Sequence, residues 1–183
     1  MLELAILGFL YEQDLHGYDL RRRVTHLTGH VRPISDGTLY PAIKRLERAG
    51  LLTRRTEPGT RAAPRHVLTL TEAGRAELRR RLAATEGTAL TDENHWFTVL
   101  AFLRHLPGPA DQATVLRRRL AFLTEPSSFF HEPGTDGEPG LPLRAEDFPD
   151  PFRRGLLHIA RATSQAELSW LHSTLAELDG ATA

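Results

Sequence analysis

Thr38, Tyr40, Lys44, Arg45 and Arg48 are the residues of this 183-residue chain whose types and spacing best support chemistry. Set on a helix, they form a face of hydroxyls and cations. Leu39, Ile43 and Leu46, recurring at four and three residues, make an apolar stripe on the other side. Ser35 is placed to cap the start, its hydroxyl accepting from an unpaired first-turn amide, and Asp36 sets negative charge at the positive end of the helix dipole. Pro41 falls early enough in the helix to be tolerated, either as a plain helix-boundary proline or as one that aims Tyr40 outward. Gly50 supplies the left-handed residue that ends the helix. Such a helix is suited to lie in a DNA groove, with its stripe on a core and its cations on phosphate or base edges. A solvated surface helix would carry the same residues, so the rest of the chain has to decide.

Other chemistries find little support. Nine histidines are present, and His26 and His30 stand four apart, but Gly29 interrupts the helix between them. There is no cysteine and no carboxylate at a ligand-like offset, so no metal site is expected. No Gly-x-Ser-x-Gly, phosphate-binding glycine loop or isolated acid pair occurs. We therefore expect no catalytic residues, no cofactor and no enzyme. Trp96, Phe97 and Trp170 are aromatic enough to line a site for a small apolar or aromatic effector, although aromatics at helical spacing also serve as plain core.

Charge supports a polyanion partner for one half only. Residues 1–90 carry 15 Lys/Arg against 10 Asp/Glu, or +5, and residues 91–183 carry 8 against 13, or −5. Between Arg21 and Arg65 there are 11 cations and three acids, and every cation but Lys44 is arginine, the residue suited to bidentate phosphate and guanine contact. No stretch reaches the length of a bilayer span, and Leu4–Leu10 is short for a signal core without a basic region before it, so a cytoplasmic protein with no membrane partner is expected.

The elements that would position the cationic face can be read in order. Leu2 to Tyr11 is dense enough for a buried helix. Asp14 can cap a second helix, His16 to about Thr28, with Tyr18, Leu20, Val24 and Leu27 inward. Val31–Ile34 is a turn into the cationic helix, completing a helix-turn-helix order. Leu51–Glu57 and Val67–Leu70 flank a Pro-Gly loop at 58–64 and predict a two-stranded hairpin whose Arg54, Arg55, Arg61, Arg65 and His66 would meet a DNA backbone. Thr71 caps a helix with Ala73, Ala76, Leu78 and Leu82 apolar and Arg75, Arg79, Arg80 and Arg81 exposed. Thr85–Thr91 is a small-residue break. Beyond it come a helix through Trp96, Val99, Leu100, Leu103 and Leu106, and one from Ala110 to Thr124 with Val115, Leu116, Leu120, Phe122 and Leu123. A Pro/Gly-rich excursion at 125–150 follows, which no regular element is expected to span and which either folds over a pocket or is a disordered loop. A last helix runs from about Phe152 to Leu178. Along it Phe152, Leu156, Ile159, Thr163, Ala166 and Trp170 form a seam that wants a partner helix, and Leu168, Leu171, Leu175 and Leu178 form a second stripe.

Leu4–Leu10, His16-Gly17-Tyr18-Asp19-Leu20, Ser35–Glu47 with its Gly-Thr-Leu-Tyr-Pro core, Gly50-Leu51-Leu52 and Leu70-Thr71-Glu72-Ala73-Gly74 together resemble the PadR family of winged-helix transcription regulators over residues 1–84. Leu68 stands where that pattern usually has an aromatic, and the 125–150 excursion is foreign to it. The resemblance implies a homodimer that binds a pseudo-palindromic operator, usually as a repressor released by a small molecule, with Thr38, Tyr40 and Lys44 touching DNA. The expected fold is mainly α with a small two-stranded wing. It divides into a winged helix-turn-helix DNA-binding domain at 1–86 and a helical dimerisation and possible effector-binding domain at 87–183. Expected partners are double-stranded DNA, a second copy and a small effector. The expected DNA contacts are Ser35, Thr38, Tyr40, Lys44, Arg45, Arg48, Arg54, Arg61 and Arg65. A winged-helix protein-interaction module, or a ligand sensor without operator binding, is the alternative.

Overall fold

The computed structural model describes residues 1–27, 34–57, 65–125 and 140–181. They form two compact units, Met1–Gln112 and Ala113–Ala183. The first unit is built on α1 (Leu2–Glu12), whose Leu4, Ala5, Ile6, Leu7 and Leu10 are all buried. Against it pack α2 (Gly17–Leu27), α3 (Asp36–Arg48), α4 (Glu72–Ala83) and α6 (Glu93–Phe102), the last entered through the short α5 (Thr88–Thr91). Strands β2 (Leu52–Glu57) and β3 (Arg65–Leu70) pair antiparallel from Leu52↔Leu70 to Glu57↔Arg65, which is the expected hairpin. The architecture is the expected one: a winged helix, mainly α, with further helices after it.

The sheet has a third strand that periodicity does not show. β1 is only Leu15–His16, paired with Leu68 and Val67, and two residues are too few to alternate. Because these residues extend into the sheet, α2 starts at Gly17 rather than His16. Leu20 and Val24 are buried as expected, but Tyr18 is 64% exposed. It stands two residues from Leu20, about 200° round a helix, so the turn that buries one exposes the other.

The segment from α3 to α4 is locked by backbone contacts. Gly50, at φ +70, donates to the Glu47 carbonyl, and Leu51 donates to the Leu46 carbonyl, both at 3.0 Å. That pairing closes the helix end with a left-handed glycine. Thr71 caps α4 by accepting from the Gly74 amide at 3.0 Å, and its hydroxyl donates to the Gly50 carbonyl at 2.7 Å. Gly74 lies so close to this turn that a Cβ would fall 2.0 Å from the Leu51 carbonyl oxygen. It fills the buried position expected of Ala73 or Ala76, and both alanines face solvent.

The arginines of α4 are engaged inside the unit. Arg75 and Arg79 lie over the Tyr11 ring, at 4.7 and 5.5 Å from its centroid. Arg75 and Arg81 are half-buried rather than exposed. Glu77 accepts from both Arg80 and Arg81 at 2.7 Å. The Arg80 hydrogen bond leads, Arg81 adds to it, and together they outweigh burial and hold the Glu77 carboxyl down at about 2 against an ordinary 4.5. A lowered folded-state value stabilises above the unfolded one and is lost as pH falls through the folded one. The Glu77 contribution is therefore complete above pH 4.5 and fades toward about pH 2. Glu77→Gln should be less stable than the parent at pH 7, with the gap closing across that window in denaturant titrations.

The expected boundary at 86/87 falls inside the first unit, which runs on to Gln112. Packing gives the reason. The Phe102 ring lies on α1 at Gly8, where a Cβ would be only 2.4 Å from it, and meets Phe9 edge-on at 5.0 Å. Asp92 caps α6 by accepting from the His95 amide at 2.7 Å, and Trp96, Val99, Phe102, Leu103 and Leu106 are buried. Leu100, expected on that face, is only half-buried.

The second unit holds most of α7 (Pro109–Thr124) and α8 (Pro151–Gly180). Asp150 caps α8, accepting from the Arg153 amide at 2.8 Å, with Pro151 at the first helical position. Arg119, nearly buried, donates to both oxygens of Glu167 at 2.8 and 2.7 Å, and Arg117 reaches Asp179 at 2.6 Å. Leu157, Leu171 and Leu175 are the buried side of α8. The other stripe stays out: Phe152 is 84%, Leu156 52%, Ile159 65% and Trp170 43% exposed. Of the 125–150 excursion, 126–139 lie outside the described residues. Ala145–Asp147 form a 3-10 turn, a regular element where none was expected.

Candidate nucleic-acid interface

α3 presents the expected face. Leu39, Ala42, Ile43 and Leu46 are buried against the unit, which leaves Thr38, Tyr40, Lys44, Arg45 and Arg48 exposed. Ser35 occupies the N-cap position, but its hydroxyl does not cap the helix. It lies 3.0 Å from the Thr38 hydroxyl, while its carbonyl accepts from the Thr38 and Leu39 amides. The first-turn amide caps are therefore not supplied by the Ser35 side chain, and the two hydroxyls stand together at the helix start.

Most cations here are already held by carboxylates. Arg21 bonds Asp36 at 2.9 Å, Arg45 bonds Glu3 at 3.0 Å, Arg54 meets Glu47 at 3.3 Å, and Arg55 meets Glu57 at 2.7 Å. Among the described residues no carboxylate lies within ion-pair distance of Lys44 or Arg48. An exposed ion pair stabilises by only about 0–1 kcal/mol, so an arriving phosphate can exchange for Asp36 or Glu47 at small cost. Glu3 is shared by Arg45 and Arg81. Burial pushes its carboxyl up, but hydrogen bonds from both arginines outweigh this and hold it below the ordinary range.

Tyr40 leans over Gly17, where a Cβ would lie 3.4 Å from its ring, so the start of α2 and the cationic helix share one surface. Arg54 and His66 border that surface from the wing. The structure thus brings Ser35, Thr38, Tyr40, Lys44, Arg45, Arg48 and Arg54 onto one unit. Arg61 lies outside the described residues, as does the Arg65 side chain, although Arg65 opens β3. Sequence reasoning turned Tyr18 inward and counted Arg21 among the cations of 21–65 without naming it as a contact; they stand exposed and half-exposed beside this face. The phase of Leu20 and Val24 was the signal that could have placed Tyr18 outside. The aromatic set splits: Trp96 is fully enclosed in the first unit, Phe97 is half-exposed there, and Trp170 belongs to the second unit.

Comparison with known proteins bears on this geometry. The model of the transcriptional regulator PadR-like family matches residues 6–80, the stretch that holds α1 through most of α4. Over this stretch the chain is similar to that family. The curated negative transcriptional regulator PadR of Bacillus subtilis (strain 168) is 26% identical over 187 residues, covering 98% of each chain. Among solved structures, B. subtilis PadR in complex with operator DNA is 23% identical and covers 97% of this chain and 98% of that one, with a TM-score of 0.45. The same protein in complex with p-coumaric acid matches with identical identity and coverage and a TM-score of 0.41. The matched stretch contains Gly50, Thr71 and Gly74, which join the end of α3 to the start of α4. Among the described residues no group of three or more His, Asp or Glu is arranged to hold a metal ion, and no helix is long and apolar enough to cross a membrane.

Lys44→Ala tests the interface at its least encumbered cation. If Lys44 meets a phosphate, its loss should weaken duplex binding and reduce the slope of log K against log salt by roughly one unit. Binding titrations at several salt concentrations read both effects. Unchanged slope and affinity would remove Lys44 from the contact.

Proposed function

We propose that the protein is a dimeric repressor that binds a palindromic operator through two copies of α3 and the wing and is released by a small-molecule effector. The observation that carries the DNA part is the exposed face of α3: Lys44 and Arg48 stand free of ion-pair partners among the described residues, beside hydroxyls at Ser35, Thr38 and Tyr40. The sign of regulation is supported by the PadR relative, which is a negative regulator. The dimer is supported by the apolar stripe of α8, which the described residues leave exposed. Two α3 helices about one turn of DNA apart, ~34 Å, read half-sites related by two-fold symmetry. Phosphate contacts supply most of the affinity, and α3 supplies the choice of bases. Phe97 on the first unit and Trp170 on the second are each exposed aromatics available to an effector, and Trp96 contributes to the core.

Selection of duplexes from a random pool, repeated at two salt concentrations, tests the reading. A two-fold symmetric sequence retained at the higher salt is the expected outcome. Recovery of no sequence preference, with no salt-dependent binding to any duplex, would replace it with a protein-interaction module. Effector binding is followed in Trp96→Phe, where quenching reports on Trp170 alone.

A further inference from the structure

We propose that the winged-helix domain carries a small-molecule site of its own, in the groove between the start of α2, the middle of α3 and the wing, which takes a planar, uncharged aromatic molecule bearing one hydrogen-bonding group. The groove has a volume of about 470 Å³ and is bordered by His16, Tyr18, Tyr40, Ile43, Arg54 and Leu68, among others. Its floor is apolar, because Ile43 and Leu68 are buried core residues. Its walls are the rings of Tyr18 and Tyr40, both large aromatics left open to solvent. Rings of this kind take flat ligands by stacking or edge contact.

Polar capacity is left over in the same place. The His16 Nδ1 is buried and has no hydrogen-bond partner. His66, by contrast, sits 3.3 Å from the Thr56 hydroxyl through its own Nδ1. A buried ring nitrogen without a partner is costly, so a ligand hydrogen bond to the His16 Nδ1 would displace none that this nitrogen makes. The formal charges at the rim are balanced: Asp19 meets Arg22 at 3.4 Å and Arg54 meets Glu47 at 3.3 Å. An uncharged ligand leaves both pairs intact, whereas a carboxylate would have to compete with Asp19 or Glu47 for their arginines.

Tyr40 and Arg54 belong to both the groove and the DNA face, so an occupant competes directly with duplex. This consequence rests on the function proposed above, whereas ligand binding itself does not.

Indole, planar and uncharged with one N–H, is the probe. It is titrated into the full chain while imidazole and tyrosine ring resonances are followed by NMR. The expected result is saturable binding with shifts at His16, Tyr18 and Tyr40. Leu68→Phe fills the floor, and Tyr18→Ala removes a wall at an exposed position that should not disturb folding. Each should weaken indole binding about tenfold or more, and indole-3-carboxylate should bind the parent at least about tenfold more weakly than indole. Indole should also raise the apparent Kd for duplex in the parent but not in the variants. Absence of saturation, shifts confined to residues outside the groove, equal affinity in parent and Tyr18→Ala, or equal binding of the carboxylate would each overturn the proposal. If the parent binds no duplex, the regulatory reading fails while the indole titration still decides the groove.

Discussion

Ile159→Glu should turn the protein into a monomer that keeps its helix content and binds operator at least a hundredfold more weakly. Ile159 is 65% exposed within its own chain, so a charge there disturbs few contacts and the fold should survive. It stands in the middle of the stripe from Phe152 to Trp170, whose steps of four and three residues are those of a helix-helix seam. A buried, unpaired carboxylate at the centre of such a seam is strongly unfavourable, and two copies would face each other. Separating the copies removes the effective-concentration gain of two linked half-site contacts, on the order of 10²–10⁴. Sedimentation and duplex binding on the same sample read the two halves of the effect. A variant that remains dimeric with unchanged affinity would take the stripe out of the interface. Removal of the chain after about residue 150 should give the same monomeric phenotype.

Gly74→Ala should be among the most damaging single substitutions in the first unit. The added Cβ would fall 2.0 Å from the Leu51 carbonyl oxygen and 2.6 Å from Leu70 Cδ1. The first neighbour is backbone, and the same oxygen accepts from the Thr71 amide at 3.1 Å, so it cannot retreat without breaking the α3–α4 lock. We expect a loss of about 3 kcal/mol or more, which for a chain of this size lowers Tm by roughly 10 °C. Gly108→Ala is the control, because a Cβ there meets nothing within 4 Å and the change should be nearly neutral. Gly50→Ala falls between them: the space is open, but φ is +70, and the left-handed strain costs about 1–2 kcal/mol. Thermal melts of the three variants should rank in that order, and a near-neutral Gly74→Ala would overturn the packing account.

The local features were legible because each has a short-range cause. The α3 stripe of Leu39, Ile43 and Leu46 is a period of 3.6, and it is buried as that period requires. Gly50 and Thr71 end and start their helices where the residue types say they must. Ser35 shows the limit of such reasoning: the residue stands at the N-cap, but a neighbouring hydroxyl at Thr38 competes for its oxygen.

The sequence by itself determined the order of elements, the wing, the cationic side of α3 and the presence of two apolar stripes on α8, because all of these are written in neighbours a few residues apart. Tertiary structure decided the matters that depend on distant partners. Pairing with Leu68 and Val67 made Leu15–His16 a strand, which delayed α2 and left Tyr18 outside. Phe102 closing on Gly8 carried the first unit to Gln112. Glu3, 42 and 78 positions away from its two arginines, restrained Arg45 and Arg81 together. On α8 both stripes have helical spacing, so periodicity could not choose between them. The side of Leu157, Leu171 and Leu175 is the one turned inward, on the helix that Arg119 grips through Glu167. The seam from Phe152 to Trp170 stays exposed for the same reason, since a helix can turn only one of its faces toward its own core.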